Sequence, residues 1–239
     1  MKTPKLAQKL FLFREYLFPA DCAICGGTLL DEAEAWLGLC KECAGRFPVE
    51  REGRCVICGR PLISELDTCT RCRNSEKNAC DGMTLIYPYA GLTRTLLQAY
   101  KFGKHRALSR FFAEKLLFAA EEIAGAPAGI PWIPVPPRPG KIKSEGWDQV
   151  ERLAGILEKY HEIPVLRCLK RLASKTQKEL GKSDRLTNLR GRIICTQKPP
   201  EEVILFDDVF TTGSTLNVCA ETLKSAGAKK VRGICLFFD

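Results

Sequence analysis

Two adjacent carboxylates, Asp207 and Asp208, stand two residues ahead of an unbroken run of hydroxyls and glycine, Thr211-Thr212-Gly213-Ser214-Thr215. A loop of that composition turns backbone N–H groups outward and adds hydroxyl donors, which is the chemistry of an anion seat. The acids cannot hold an anion themselves, because their charges repel it. Beside a phosphate cradle they are suited to accepting hydrogen bonds from sugar hydroxyls. The ligand expected from the two features together is a sugar phosphate. The plainer alternative is a strand-to-helix turn whose acids bind Mg²⁺ or cap a neighbouring group.

The second chemistry is sulfur. Thirteen cysteines include four Cys-x-x-Cys knuckles: Cys22/Cys25, Cys40/Cys43, Cys55/Cys58 and Cys69/Cys72. A two-residue gap lets both thiolates of a knuckle reach one metal, and two knuckles complete a tetrahedral site. Sequential pairing gives one site from Cys22, Cys25, Cys40 and Cys43 and another from Cys55, Cys58, Cys69 and Cys72. Spacing alone admits interleaved pairing as well. The closed four-sulfur sets imply two structural Zn²⁺ ions, although iron suits the same ligands. Gly26, Gly27 and Gly59 follow the knuckles, where a tight turn favours positive φ. Cys80, Cys168, Cys195, Cys219 and Cys235 are left over and read as small hydrophobes of the core.

To present the acids and the hydroxyl loop together, Val203–Phe206 must form a buried strand that ends at Asp207. Leu216, Cys219, Leu223 and Ala226 mark a helix that starts at the loop and stops at Gly227. Upstream, Met83–Tyr89 reads as a strand. Leu92, Leu96, Leu97 and Tyr100 mark a helix, and Leu108 to Ile123 a second one ending near Gly125. Trp132–Val135 is a short strand, Pro136 to Gly146 a loop, and Val150 to Tyr160 a helix. Val231–Phe238 closes the series. Strands alternating with helices imply an α/β fold with a parallel sheet flanked by helices, whose ligands sit at the carboxyl ends of the strands.

The expected organisation is a short helix in residues 1–20, a double zinc ribbon in 21–80 and the α/β domain in 81–239. Leu6 to Leu17 reads as an amphipathic helix. Its apolar patch Leu10–Phe13 is interrupted by Arg14 and Glu15, too soon for a signal-peptide core. No segment approaches the roughly 18 apolar residues of a membrane span, so a cytoplasmic location is expected. The formal charge of +9 falls to about +5 once eight thiolates hold two divalent ions, a moderate value that suits a polyphosphate or transient nucleic-acid contact. Gly181-Lys182-Ser183 mimics the end of a P-loop, but position 176 is Thr176 where that motif needs glycine. With His105 and His161 the only histidines and no nucleophile elbow, a hydrolase triad is disfavoured.

The Val203–Thr215 run resembles the phosphoribosyl-diphosphate motif of type I phosphoribosyltransferases. That resemblance implies that Asp207 and Asp208 hold the ribose hydroxyls and that Thr211, Thr212, Gly213, Ser214 and Thr215 hold the 5′-phosphate. Over nearly its full length the chain resembles the ComF (GntX-like) family of competence-associated phosphoribosyltransferase homologues. The resemblance rests on the knuckles, Tyr87-Pro88-Tyr89, Tyr100-Lys101-Phe102-Gly103, Ile133-Pro134-Val135-Pro136, Gly146-Trp147-Asp148-Gln149 and Gln177-Lys178-Glu179-Leu180. The chain departs from its relatives at Glu145, where they usually carry arginine.

By this resemblance Pro136 to Lys143, with Arg138 and Lys141, meets the pyrophosphate, and Ser174 to Arg185, with Lys178, closes over the site. It implies phosphoribosyl diphosphate with Mg²⁺ as ligand and a role in DNA uptake and natural competence, with single-stranded DNA or DNA-uptake proteins as partners. Two other functions stay open: a working phosphoribosyltransferase of nucleotide metabolism, and a zinc-ribbon nucleic-acid adaptor with a nucleotide-precursor sensor. Glutamine-dependent amidotransfer is disfavoured, since Met1 is followed by Lys2 and the first cysteine is Cys22.

Overall fold

The computed structural model describes residues 20–29, 31–51, 53–62, 67–73, 78–103, 105–173 and 191–239. The expected helix Leu6–Leu17, the segment Ser174–Arg185 and Lys178 lie outside the described residues. The chain divides into two compact units, Met1–Pro48 with Ala90–Phe112, and Val49–Tyr89 with Ala113–Asp239.

The first unit holds the first cysteine tetrad. Strands β1 (Ala20–Asp21) and β2 (Thr28–Leu29) pair antiparallel, and helices α1 (Glu32–Leu37) and α2 (Lys41–Gly45) follow. Asp31 caps α1 by accepting from the amides of Ala33 (2.8 Å) and Glu34 (3.2 Å), which satisfies donors that a helix start leaves open. Helix α4 (Gly91–Lys101) and the start of α5 (Leu108–Phe118) belong to the same unit. Its aromatic core joins Tyr100 to Phe112 edge-on at 5.1 Å and Phe47 to Phe111 at 6.1 Å.

The second unit is built on a four-stranded parallel sheet in the order β3 (Gly82–Pro88), β8 (Lys230–Phe238), β7 (Glu202–Phe210), β4 (Trp132–Pro134). Val203 to Phe206 are buried throughout, as a central strand covered on both faces requires. Val203 and Leu205 pack with Leu216, Cys219 and Leu223 of helix α8 (Ser214–Ser225). Ile204 and Phe206 alternate to the other face, where Trp132 meets Phe206 edge-on at 5.6 Å. Helix α7 (Gln149–His161) runs along β4 and β7.

Both sheet edges are covered, which withholds them from further strand pairing. At β4, Trp132 donates to Pro164 and accepts from Leu166, both at 2.8 Å. At β3 the cover is the second cysteine ribbon: Arg54 donates to the Leu85 carbonyl at 2.8 Å, and Leu85 donates to the Gly59 carbonyl at 3.4 Å. Gly59 (φ 67°) sits so close to β3 that a Cβ would lie 1.8 Å from the Met83 carbonyl oxygen, so only glycine fits.

Several expectations need correction. Strand β7 does not end at Asp207. It continues to Phe210, because Asp207, Val209 and Phe210 pair with Cys235, Phe237 and Phe238 of β8. The loop Pro136–Gly146 contains a helix, α6 (Lys141–Glu145), bracketed by left-handed Gly140 (φ 80°) and Gly146 (φ 77°). The helix through Ile123 is α-helical only to Phe118 and widens into a π turn over Ala119–Ile123. Gly26 and Gly59 adopt positive φ, but Gly27 does not. A short antiparallel pair, β5 (Leu169–Arg171) with β6 (Ile193–Cys195), adds two strands that the sequence does not signal.

Candidate ligand site and metal centres

The acids and the hydroxyl loop meet at the carboxyl end of the parallel sheet, where β7 hands over to α8. Asp207 and Asp208 are half-buried in the last part of β7, and the Asp207 carboxylate accepts from the Asp208 amide at 2.8 Å. Thr211 and Thr212 are exposed, and the Thr212 and Ser214 hydroxyls bond each other at 2.7 Å. Gly213 is the N-cap of α8, with φ 78°, and the Thr212 hydroxyl accepts from the first helical amide, Ser214, at 3.4 Å. A Cβ there would meet the Phe210 ring at 2.7 Å. Glycine is therefore required twice over, by conformation and by space. A twelve-residue helix thus starts with its amides toward a hydroxyl-lined opening, and its dipole favours an anion there.

One cation within electrostatic reach of Asp207 carries no signal in the sequence. Arg171, on β5, is half-buried, and burial holds its guanidinium below its usual range. The charges of Arg138 and Arg192 push the same way, while Cys219 and Asp207 oppose. Arg171 thus lies within electrostatic reach of Arg138, Arg192 and Asp207. Arg138, Lys143, Lys170 and Arg171 line a groove of about 510 Å³ with the prolines that follow β4. The pair β5–β6 packs on α8 through β6, where the Thr222 hydroxyl, which donates to Val218 of its own helix at 2.8 Å, lies 3.4 Å from the Ile193 carbonyl. No sequence signal reveals Arg171, since a three-residue strand carries no period to read.

Lys141 does not join this group. Its ammonium meets Asp148 at 2.6 Å and also Gln149. Asp148 is buried and caps α7 by accepting from Val150 (2.9 Å) and Glu151 (3.0 Å). Lys141 therefore ties the short helix α6 to the start of α7. Asp148→Ala removes the cap and leaves Lys141 without its carboxylate. A loss of about 1–3 kcal/mol is expected, read as a lowered midpoint in thermal denaturation. Glu145, the departure from the family pattern, is exposed at the end of α6.

The cysteines form two closed tetrads, Cys22/Cys25/Cys40/Cys43 and Cys55/Cys58/Cys69/Cys72, with the sulfurs of each within 4.8 Å of one another. This is the sequential pairing. A tetrahedron with Zn–S bonds near 2.3 Å has sulfur–sulfur edges of roughly 3.8 Å. The Cys25–Cys40 and Cys58–Cys69 sulfurs are 3.9 and 3.8 Å apart, so both tetrads fit the ion. Burial raises the first thiol of each set, but backbone donors outweigh it and hold Cys22 at about 7 and Cys55 at about 6. One such donor in each is the Cys40 amide on Cys22 and the Cys69 amide on Cys55, both at 3.4 Å. Of the remaining five, Cys80, Cys168, Cys219 and Cys235 are buried. Burial pushes Cys80 and Cys168 up to about 12 and the other two well above the ordinary thiol range, so they stay neutral and act as hydrophobes.

Residues 13–73 match the double zinc ribbon domain family. Competence protein F of Haemophilus influenzae is 30% identical over 229 residues, covering 90% of this chain and 95% of its own. Competence protein ComFC of Streptococcus pneumoniae is 27% identical, with 83% and 86% covered, and that of Bacillus subtilis is 24% identical, with 79% of each covered. A solved structure of the allosteric regulatory enzyme of purine biosynthesis matches 53% of this chain and only 25% of its own, with 21% identity and a TM-score of 0.35. A likeness of that size carries no argument about chemistry. Among the described residues no helix is long and apolar enough to cross a membrane. By its extent and identity to competence protein F, the chain belongs to the ComF family, with a double zinc ribbon and a parallel sheet flanked by helices.

Proposed function

We propose that this protein binds phosphoribosyl diphosphate, or the ribose 5-phosphate group within it, at the carboxyl end of β7. The reading rests chiefly on one juxtaposition: an acid pair at the end of β7, a helix start lined by hydroxyls, and Arg171 within electrostatic reach of Asp207. The loop Thr211–Thr215 takes the 5′-phosphate on amides and hydroxyls, and Asp207 with Asp208 accepts from the ribose hydroxyls. Arg138 and Arg171 face the diphosphate, with Lys178 as a further cationic contribution. Lys141 acts by fixing α6 against α7. Mg²⁺ would neutralise the diphosphate when bound. Because the relatives are competence proteins by name, the same setting is inferred here, in the cytoplasm and in support of DNA uptake, with single-stranded DNA or uptake proteins as partners.

Calorimetric titration with phosphoribosyl diphosphate and Mg²⁺ tests the binding, with inorganic sulfate as control. Failure to bind the sugar phosphate above the sulfate level ends the reading. Following pyrophosphate release in the presence of candidate acceptors distinguishes a transferase from a binder. The cation assignment has its own test. Arg171→Ala should weaken phosphoribosyl diphosphate by about tenfold to a hundredfold, as for a lost charge-assisted bond, and leave ribose 5-phosphate within about twofold. Equal weakening of both ligands would remove Arg171 from the diphosphate.

A further inference from the structure

We propose that the second cysteine tetrad sets the shape of the loop Thr211–Thr215, so that ligand affinity depends on this tetrad through Arg60 and Arg71. The inference rests on the reading of that loop as the phosphate seat. The route is short and lies within one compact unit. Arg60 follows the knuckle Cys55/Cys58 and Arg71 lies inside the knuckle Cys69/Cys72, on the single turn α3 (Thr70–Arg73). Both guanidiniums donate to the same acceptor, the main-chain oxygen of Asp239, at 3.1 and 2.7 Å. Arg60 also lies over the Phe238 ring, 4.9 Å from its centre.

Asp239 passes the constraint on. Its amide donates to the Phe210 carbonyl at 3.1 Å, and Phe238 is in register with Phe210. The Phe210 ring in turn fills the space beneath Gly213. A second connection reaches the other side of the loop. Ala79, just past the ribbon, donates to the Asn217 side chain at 3.1 Å, and the Asn217 amide donates to Gly213 at 2.9 Å. The loop is therefore held from both ends, by Asp239, which the arginines of the second tetrad bind, and by Ala79, whose neighbour Asn78 donates to Ile57 inside the Cys55/Cys58 knuckle at 3.5 Å.

A helix turn of four residues has no stability of its own, so Arg71 keeps its aim only while Cys69 and Cys72 are tied. The two arginines offer a test that leaves the metal ligands intact. The paired variant Arg60→Ala/Arg71→Ala is compared with Arg46→Ala, beside the first tetrad, in the full-length protein. Metal content is checked by elemental analysis, amide hydrogen exchange is followed over residues 210–217, and ribose 5-phosphate is titrated. Exchange in that segment should quicken, and affinity fall, by about tenfold, as expected when hydrogen bonds from charged donors are lost. Arg46→Ala should change neither.

Unaltered exchange over 210–217 in the paired variant overturns the coupling. Should the pair fail to fold, Arg71→Met removes one donor from Asp239 and repeats the measurement. If the parent protein itself ignores ribose 5-phosphate, the ligand reading fails, while quickened exchange still supports the coupling.

Discussion

Replacing Asp207 and Asp208 together by asparagine is expected to weaken phosphoribosyl diphosphate binding by about a hundredfold or more, since two acceptors of charge-assisted hydrogen bonds are lost. The sign of the change makes the experiment decisive. Removing two negative charges at a phosphate seat should, on electrostatics alone, tighten the hold on an anion. A fall in affinity therefore reports specific acceptance from sugar hydroxyls and not a general field. Asparagine has the shape of aspartate, and its side-chain oxygen can still accept from the Asp208 amide, a bond that shapes the backbone here. Both positions are only half-buried, so stability should stay within about 1 kcal/mol of the parent. Titration calorimetry with thermal denaturation as companion reads both effects. Unchanged or increased affinity refutes the sugar-hydroxyl role.

The parts of this site that are legible in sequence are those where local signals agree. At Val203–Leu223 a buried strand, a hydroxyl-rich turn and a helical period follow one another without a gap, and the knuckles announce themselves by spacing. Where local preference and tertiary pairing conflict, the sequence reading goes astray. Aspartate is a poor strand residue, so the strand is expected to stop at Asp207, yet pairing with β8 carries it to Phe210. Pro136, Pro137 and Pro139 signal a loop, which hides the short helix set between Gly140 and Gly146.

Side-chain partners are less visible still. Lys141 lies in a basic, proline-rich stretch that resembles a diphosphate loop, and nothing local shows that Asp148 and Gln149 engage its ammonium. Arg171 is distant from the acid pair in sequence and comes within its electrostatic reach because β5 and β6 pair and pack on α8. Linear grouping places the two tetrads side by side. It cannot show that Gly59 presses the second against the edge of the sheet.

Removing the metals is expected to have the largest effect of all. Elemental analysis should find two zinc ions, or their iron equivalents, per chain, one for each tetrad. The strands β1 and β2 have two residues each and α3 has four, lengths far below those that are stable alone in water. Their order must come from metal binding, which is worth on the order of 10 kcal/mol per structural zinc site. A strong chelator should therefore dissolve both ribbons and release eight thiols to a thiol reagent, while Cys80, Cys168, Cys219 and Cys235 stay protected as long as the sheet survives. The two losses should differ in kind. Loss of the second tetrad uncovers the outer edge of β3, because Arg54 and Gly59 no longer bond Leu85, and a bared parallel edge invites pairing between molecules. Aggregation should therefore accompany disruption of the second site, through Cys55→Ser or Cys69→Ser, more than disruption of the first through Cys22→Ser or Cys40→Ser. One metal or none per chain, or a far-ultraviolet dichroism spectrum unmoved by full metal removal, would sink the ribbon assignment.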